Sequence, residues 1–101
     1  MKIRILIGLL FLSLNLLAQE NPTLYLIGDS TMANKKNPDE NPEHGWGQML
    51  PELMNDEITI ENHAMNGRSS KSFIGQGRWQ TVYEKLKPGD FVIIQFGHND
   101  Q

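Results

Sequence analysis

Lys87-Pro88-Gly89-Asp90-Phe91-Val92-Ile93-Ile94-Gln95-Phe96-Gly97-His98-Asn99-Asp100 is the stretch that decides the fold class. Pro88 and Gly89 stop the element before them and turn the chain. Phe91 to Phe96 then runs apolar and β-rich without polar alternation, the pattern of a strand buried on both faces of a parallel sheet. Such a strand needs neighbours and covering helices, and the upstream sequence contains candidates for both. Thr23-Leu24-Tyr25-Leu26-Ile27 predicts a first strand, ended by Gly28-Asp29-Ser30. Asn34 to Gly45, with Pro38 and Pro42, predicts an exposed polar loop. Trp46, Met49, Leu50 and Leu53 recur at helical spacing, and Pro51 makes that helix start late or kink. Ile58-Thr59-Ile60 predicts a short second strand. After a Gly-containing turn, Trp79, Val82, Tyr83 and Leu86 mark one face of a second helix. Strand, helix, strand, helix, strand implies right-handed parallel crossovers and a three-layer α/β sandwich.

Composition narrows the function. The chain has 101 residues, with 12 acidic and 9 basic side chains and no cysteine. Zinc fingers, disulfide frameworks and cysteine nucleophiles are thereby excluded. An acidic chain without a basic block does not suit nucleic acid, whose phosphates require clustered Lys and Arg. Lys2 and Arg4 followed by the apolar Ile5–Leu12 and by Ala18 predict a cleaved secretory signal peptide over residues 1–18, and hence a secreted or periplasmic product. The apolar part is roughly 13 residues, short of the ~20 that span a bilayer, so no stable membrane anchor is expected. Cleavage removes 18 residues, leaves 83, and moves the net charge from −3 to −5.

In parallel α/β sheets, ligands bind outside the carboxyl ends of the strands, and three polar clusters fall there: Gly28-Asp29-Ser30, Asn62 to Ser70, and Gly97-His98-Asn99-Asp100. A serine at a strand end exposes its hydroxyl and turns neighbouring N–H groups outward, which suits acyl transfer. Attack on an ester creates an oxyanion that preorganised donors must already face. The Ser30 N–H, the Gly67 N–H and the Asn99 side-chain amide can supply them. Taken singly, a serine after a strand is usually a turn or cap residue, and Asn66-Gly67 a tight turn. The convergence of the three clusters carries the inference.

These clusters resemble three blocks of the GDSL, or SGNH, hydrolases. Ile27-Gly28-Asp29-Ser30-Thr31, Gly45-Trp46-Gly47-Gln48-Met49-Leu50, Gly67-Arg68-Ser69-Ser70, Gly77-Arg78-Trp79 and Phe96-Gly97-His98-Asn99-Asp100-Gln101 are similar to the rhamnogalacturonan acetylesterase branch. The resemblance, from about Thr23 to Gln101, implies a flavodoxin-like α/β fold, no metal or other cofactor, and removal of acetyl groups from pectic rhamnogalacturonan. It implies Ser30 as nucleophile and Gly67 and Asn99, with the Ser30 N–H, as oxyanion hole. His98 is expected to shape the substrate pocket. Asn66 departs from the small residue, often Gly, that commonly precedes this glycine. Met32 occupies the last position of a G-x-S-x-G elbow, so Ser30 is not an α/β-hydrolase serine.

The family also implies a later Asp-x-x-His motif, which this sequence lacks, and a serine hydroxyl needs a base to take its proton. His44 is expected on the surface and His63 as a hydrogen-bonded structural residue. Residues 19–101 are therefore expected to be the N-terminal part of the hydrolase domain, nearly inactive without the remainder of that domain. Two other classes share part of this pattern. Metallophosphoesterases share Asp, Asn and His clusters but require an Asp-x-His motif after the first strand and Asn before His in the later block. A carbohydrate-binding relic of the same fold would retain the polysaccharide and lose the chemistry.

Overall fold

The alternating side chains of one central strand build two hydrophobic cores. The computed structural model describes residues 21–100, so the predicted signal peptide lies outside the described residues. Strand β1 (Thr23–Gly28) is buried throughout. It pairs in parallel with β2 (Thr59–Asn62) on one side and β3 (Phe91–Gln95) on the other, giving the order β2-β1-β3. Successive strand side chains point to opposite faces. Leu24 and Leu26 accordingly pack with Met32, Ala33 and Ala64, while Tyr25 and Ile27 pack with Phe73 and Val82 on the other face. Fully burying a side chain such as Leu26 or Ile27 contributes roughly 1.5–3 kcal/mol.

The helices cover the two faces. Helix α1 (Trp46–Met49) passes directly into a 3₁₀ turn (Leu50–Leu53) with Pro51 in its first turn, because proline has no N–H to continue the α ladder. Leu50 packs on the Leu26 core. Helix α2 (Ser70–Gly75) and helix α3 (Arg78–Lys85) cover the other core through Phe73 and Val82. The sequence predicts only a turn where α2 forms. A reciprocal capping box starts it, with the Ser69 hydroxyl accepting from the Ser72 N–H at 3.0 Å and the Ser72 hydroxyl accepting from the Ser69 N–H at 2.9 Å. Serine replaces the usual Glu or Gln at the third helical position, which hides the signal.

Two expectations are corrected. Tyr83 lies exposed beside Trp79 and does not face the core. Strand β3 is parallel as expected, but it is not buried on both faces: Phe91 is 59% exposed and Ile94 62%. Among the described residues it has β1 on one edge and no partner on the other, so only Val92, followed by Phe96 just beyond the strand, reaches the core.

The turn after β1 sits against the start of α1. The Trp46 N–H donates to the Thr31 carbonyl at 3.0 Å and the Gly47 N–H to the Met32 carbonyl at 3.1 Å. A Cβ on Gly47 would lie 2.7 Å from that Met32 carbonyl, and one on Gly45 would be driven into the Ala33 carbonyl. Glycine is required by this approach of two backbones, so Gly45→Ala is expected to lower stability by about 1–3 kcal/mol, read as a reduced urea midpoint at unchanged slope. The open β3 edge predicts self-association of the isolated 101-residue chain. Ile94→Lys should shift it toward monomer in size-exclusion chromatography.

Candidate active site

Three turns, each at the carboxyl end of a strand, meet on one edge of the sheet, and the buried carboxylate of Asp29 links two of them. Its Oδ1 accepts from the Thr31 N–H at 3.1 Å and the Thr31 hydroxyl at 2.8 Å, while its Oδ2 accepts from the His98 N–H at 3.3 Å. The turn bearing Ser30 is thus fixed to the turn after β3. Gln95, at the end of β3, adds a second tie, its side-chain oxygen lying 2.7 Å from the Thr31 hydroxyl and 3.3 Å from the Trp46 indole N–H. Burial pushes the Asp29 carboxyl up, but hydrogen bonds from the Thr31 hydroxyl, the Thr31 N–H and the His98 N–H outweigh it and hold it below its ordinary range.

The second turn joins both neighbours. Met65 to Arg68 closes with an N–H···O bond of 3.4 Å. Gly67 takes φ +75° while Asn66 keeps a negative φ, the sign pattern of a type II turn. A Cβ on Gly67 would meet nothing, so the backbone angle and not space demands glycine there. Towards the third turn, the Asn99 amide donates to the Arg68 carbonyl at 3.1 Å. Asp100 accepts from the Ser70 N–H and hydroxyl, both at 2.7 Å. Towards the first, the Met65 N–H donates to the Gly28 carbonyl at 3.0 Å. The Lys35 ammonium bonds both the Ser30 carbonyl and, at 2.8 Å, the Asn66 side-chain oxygen.

These links close a ring through Asp29, His98, Asn99, Arg68, Asn66, Lys35 and Ser30. Around it, the groups named from the sequence are uncommitted. The Ser30 hydroxyl, the Ser30 N–H and the Gly67 N–H have no partner among the described residues. Asn99 uses one of its two amide hydrogens on Arg68, leaving the other available. A hydroxyl and three unused donors, carried on turns that hydrogen bonds join, are the groups that acyl transfer needs.

The three imidazoles divide between the polar loop, the end of β2 and the third turn. His44 bonds the Pro38 carbonyl at 3.1 Å in the exposed loop. His63 bonds Glu61 at 3.0 Å and lies against the Tyr25 ring, as the structural reading expects. His98 enters the ring through its backbone N–H, with its side chain exposed. No imidazole among the described residues hydrogen-bonds Ser30. Asp29, Asp100 and Lys35 carry the geometry yet have no assigned role in the sequence reading. Asp29 and Asp100 sit inside the motif blocks and could have been found there, whereas Lys35 is one of two lysines in a polar loop and gives no signal.

Comparison with known proteins identifies the family. The profile of the GDSL-like lipase/acylhydrolase family matches residues 24–101. The chain belongs to that family. It is 44% identical over 78 residues to the rhamnogalacturonan acetylesterase RhgT of Bacillus subtilis, covering 77% of this chain and 33% of RhgT. It is 43% identical over 78 residues to the rhamnogalacturonan acetylesterase of Emericella nidulans, covering 77% of this chain and 28% of that protein. The crystal structure of the Bacillus subtilis protein YxiM superposes with a TM-score of 0.75 at 34% identity, over 80% of this chain and 23% of that one. This GDSL-family chain spans about a third of the length of the curated relatives it matches.

A carboxyl held low in the fold stabilises it above the unfolded pKa of about 3.9, and that contribution is lost as pH falls through the folded value. Asp29→Asn is therefore expected to cost about 1–3 kcal/mol at neutral pH. The gap to the parent should narrow on acidification, measured by urea unfolding at pH 7 and in steps below pH 4.

Proposed function

We propose that this chain is the nucleophile-bearing part of a carboxylic-ester hydrolase that removes acetyl groups from rhamnogalacturonan. The observation that carries the proposal is the hydrogen-bonded ring that joins the Ser30, Gly67 and Asn99 turns and leaves their reactive atoms unbonded. The names of the two relatives at 43–44% identity support the substrate.

In the proposed reaction, the Ser30 Oγ attacks the acetyl carbonyl carbon, and the hydroxyl proton passes to a base. Negative charge develops on the carbonyl oxygen, which the Ser30 N–H, the Gly67 N–H and the free Asn99 amide hydrogen receive. Collapse of this intermediate expels the sugar oxygen, which takes the proton from the base. Water then hydrolyses the acetyl-serine and releases acetate. The base is proposed to be the His of an Asp-x-x-His motif in the remainder of the domain, since no described imidazole hydrogen-bonds Ser30 and removal of a triad His can cost on the order of 10⁶ in kcat. Residues 19–101 alone are accordingly proposed to be nearly inactive. The residue 1–18 segment is proposed to direct export to the periplasm or the medium.

Acetate release from acetylated rhamnogalacturonan by the full-length gene product tests this. Ser30→Ala is expected to abolish turnover while retaining most polysaccharide binding, and Asn99→Ala to lower kcat by about 10²–10³. Polysaccharide binding without Ser30-dependent acetate release would instead make the protein a binding relic of the fold.

A further inference from the structure

The turn that carries Gly67 has two accessible states, and its backbone alone does not choose between them. Between a type II and a type I turn the central peptide rotates by about half a turn, so its N–H faces opposite ways in the two. The central peptide here joins Asn66 to Gly67, and its N–H is one of the three proposed oxyanion donors. Gly67 at φ +75° adopts the type II state, but glycine takes negative φ about as readily. Packing does not decide the matter, since a Cβ on Gly67 would meet nothing within 4 Å. Nor does the closing bond from the Arg68 N–H to the Met65 carbonyl, which is long at 3.4 Å and common to both turn types.

The Arg68 side chain makes the choice. Its Nη1 donates at 2.7 Å to the Asn66 carbonyl, the oxygen of that same central peptide. Rotating the peptide would carry this oxygen away from the guanidinium and break the bond. The guanidinium is itself braced, its Nε donating at 3.1 Å to the side-chain oxygen of Gln76 at the end of α2. That oxygen also accepts from the Arg78 Nε at 2.9 Å, which occupies both of its lone pairs. Arg68 forms no ion pair among the described residues, so its charge acts on neutral oxygens. A charged donor on a carbonyl makes a stronger bond than a neutral one and polarises the peptide, which strengthens the N–H at its other end. The Arg68 carbonyl in turn receives the Asn99 amide at 3.1 Å. Two of the three proposed donors are thus held through one residue.

We propose that Arg68 is a positioning residue: its guanidinium locks the Asn66–Gly67 peptide in the type II orientation and so fixes the Gly67 N–H for the oxyanion. This inference deepens the esterase reading above and rests on it for the role of that N–H.

Nuclear magnetic resonance and kinetics of the full-length gene product test the lock together. The Asn66 Hα lies close to the Gly67 N–H in a type II turn and farther from it in type I, so the parent should give a strong Overhauser cross-peak between them and Arg68→Met a weak one. Turnover of 4-nitrophenyl acetate, an ester with no sugar for Arg68 to touch, should fall in Arg68→Met by about ten- to a hundredfold in kcat at unchanged KM. That is less than the roughly 10²–10³ for outright loss of a donor. Gly67→Ala disfavours the positive φ and acts by the same rotation, so combining it with Arg68→Met should cost no more kcat than the worse single variant. Gln76→Ala removes only the brace at the exposed end of α2 and should lower kcat about two- to fivefold with a weaker cross-peak. A parental cross-peak or parental kcat in Arg68→Met, or in Gln76→Ala where Arg68→Met does not fold, overturns the lock, as do multiplied losses in the double variant. Ser30-dependent turnover with an unchanged cross-peak in Arg68→Met removes the lock alone. A weakened cross-peak in a protein with no Ser30-dependent turnover removes the esterase reading and leaves the peptide lock standing.

Discussion

The site edge of this molecule depends on one buried carboxylate. Asp29 leaves β1 at the point where the sheet ends, and its two oxygens hold Thr31 beyond Ser30 and His98 before Asn99. Neither turn has regular secondary structure to fix it, and backbone N–H groups without a partner are costly when buried. A charged acceptor answers both turns at once, with hydrogen bonds stronger than neutral ones. Those hydrogen bonds also reverse the upward push of burial on its own pKa. The carboxylate is therefore an organiser of the edge, one residue away from the hydroxyl with which the proposed chemistry begins.

From that anchor, the remaining constraints follow in order. With the first and third turns joined, the second is held between them by the Asn99 amide on one side and the Lys35 ammonium on the other. Gly67 accepts the positive φ this turn requires. Gly45 and Gly47 let the start of α1 press against the residues just after Ser30. The glycine-rich strings of the sequence thus mark two different needs, a backbone angle in one case and a backbone approach in the other.

Much of the fold was legible because its strands are short apolar runs bounded by Gly, Pro and Asp. The unbroken Thr23–Ile27 run announces a strand covered on both faces, and it is the central one. The same reasoning applied to Phe91–Phe96 found the strand but not its exposure, since periodicity reports which surfaces are apolar and says nothing of whether a neighbour is present. Helix α2 was missed because its cap uses two serines, a pair equally at home in a turn. At the candidate site, Ser30, Gly67 and Asn99 stand in motif blocks, which is what makes them candidates. Lys35 could not, because its role comes from a tertiary contact across 31 residues to Asn66, and a lysine in a polar loop carries no mark of such a partner.

The arrangement separates two tasks that a serine hydrolase must combine. Stabilising an oxyanion requires donors fixed before the reaction, since donors that must reorient give up much of their advantage at the moment charge appears. The hydrogen-bonded ring fixes the turns that carry the proposed donors, and all of its links lie within this chain. Proton transfer requires a base poised against the serine, and no link of the ring provides one. On the proposed mechanism, the geometry of the oxyanion hole is therefore set independently of the group that activates the nucleophile. On that mechanism the base can come from a segment distant in sequence, because no link of the ring depends on it.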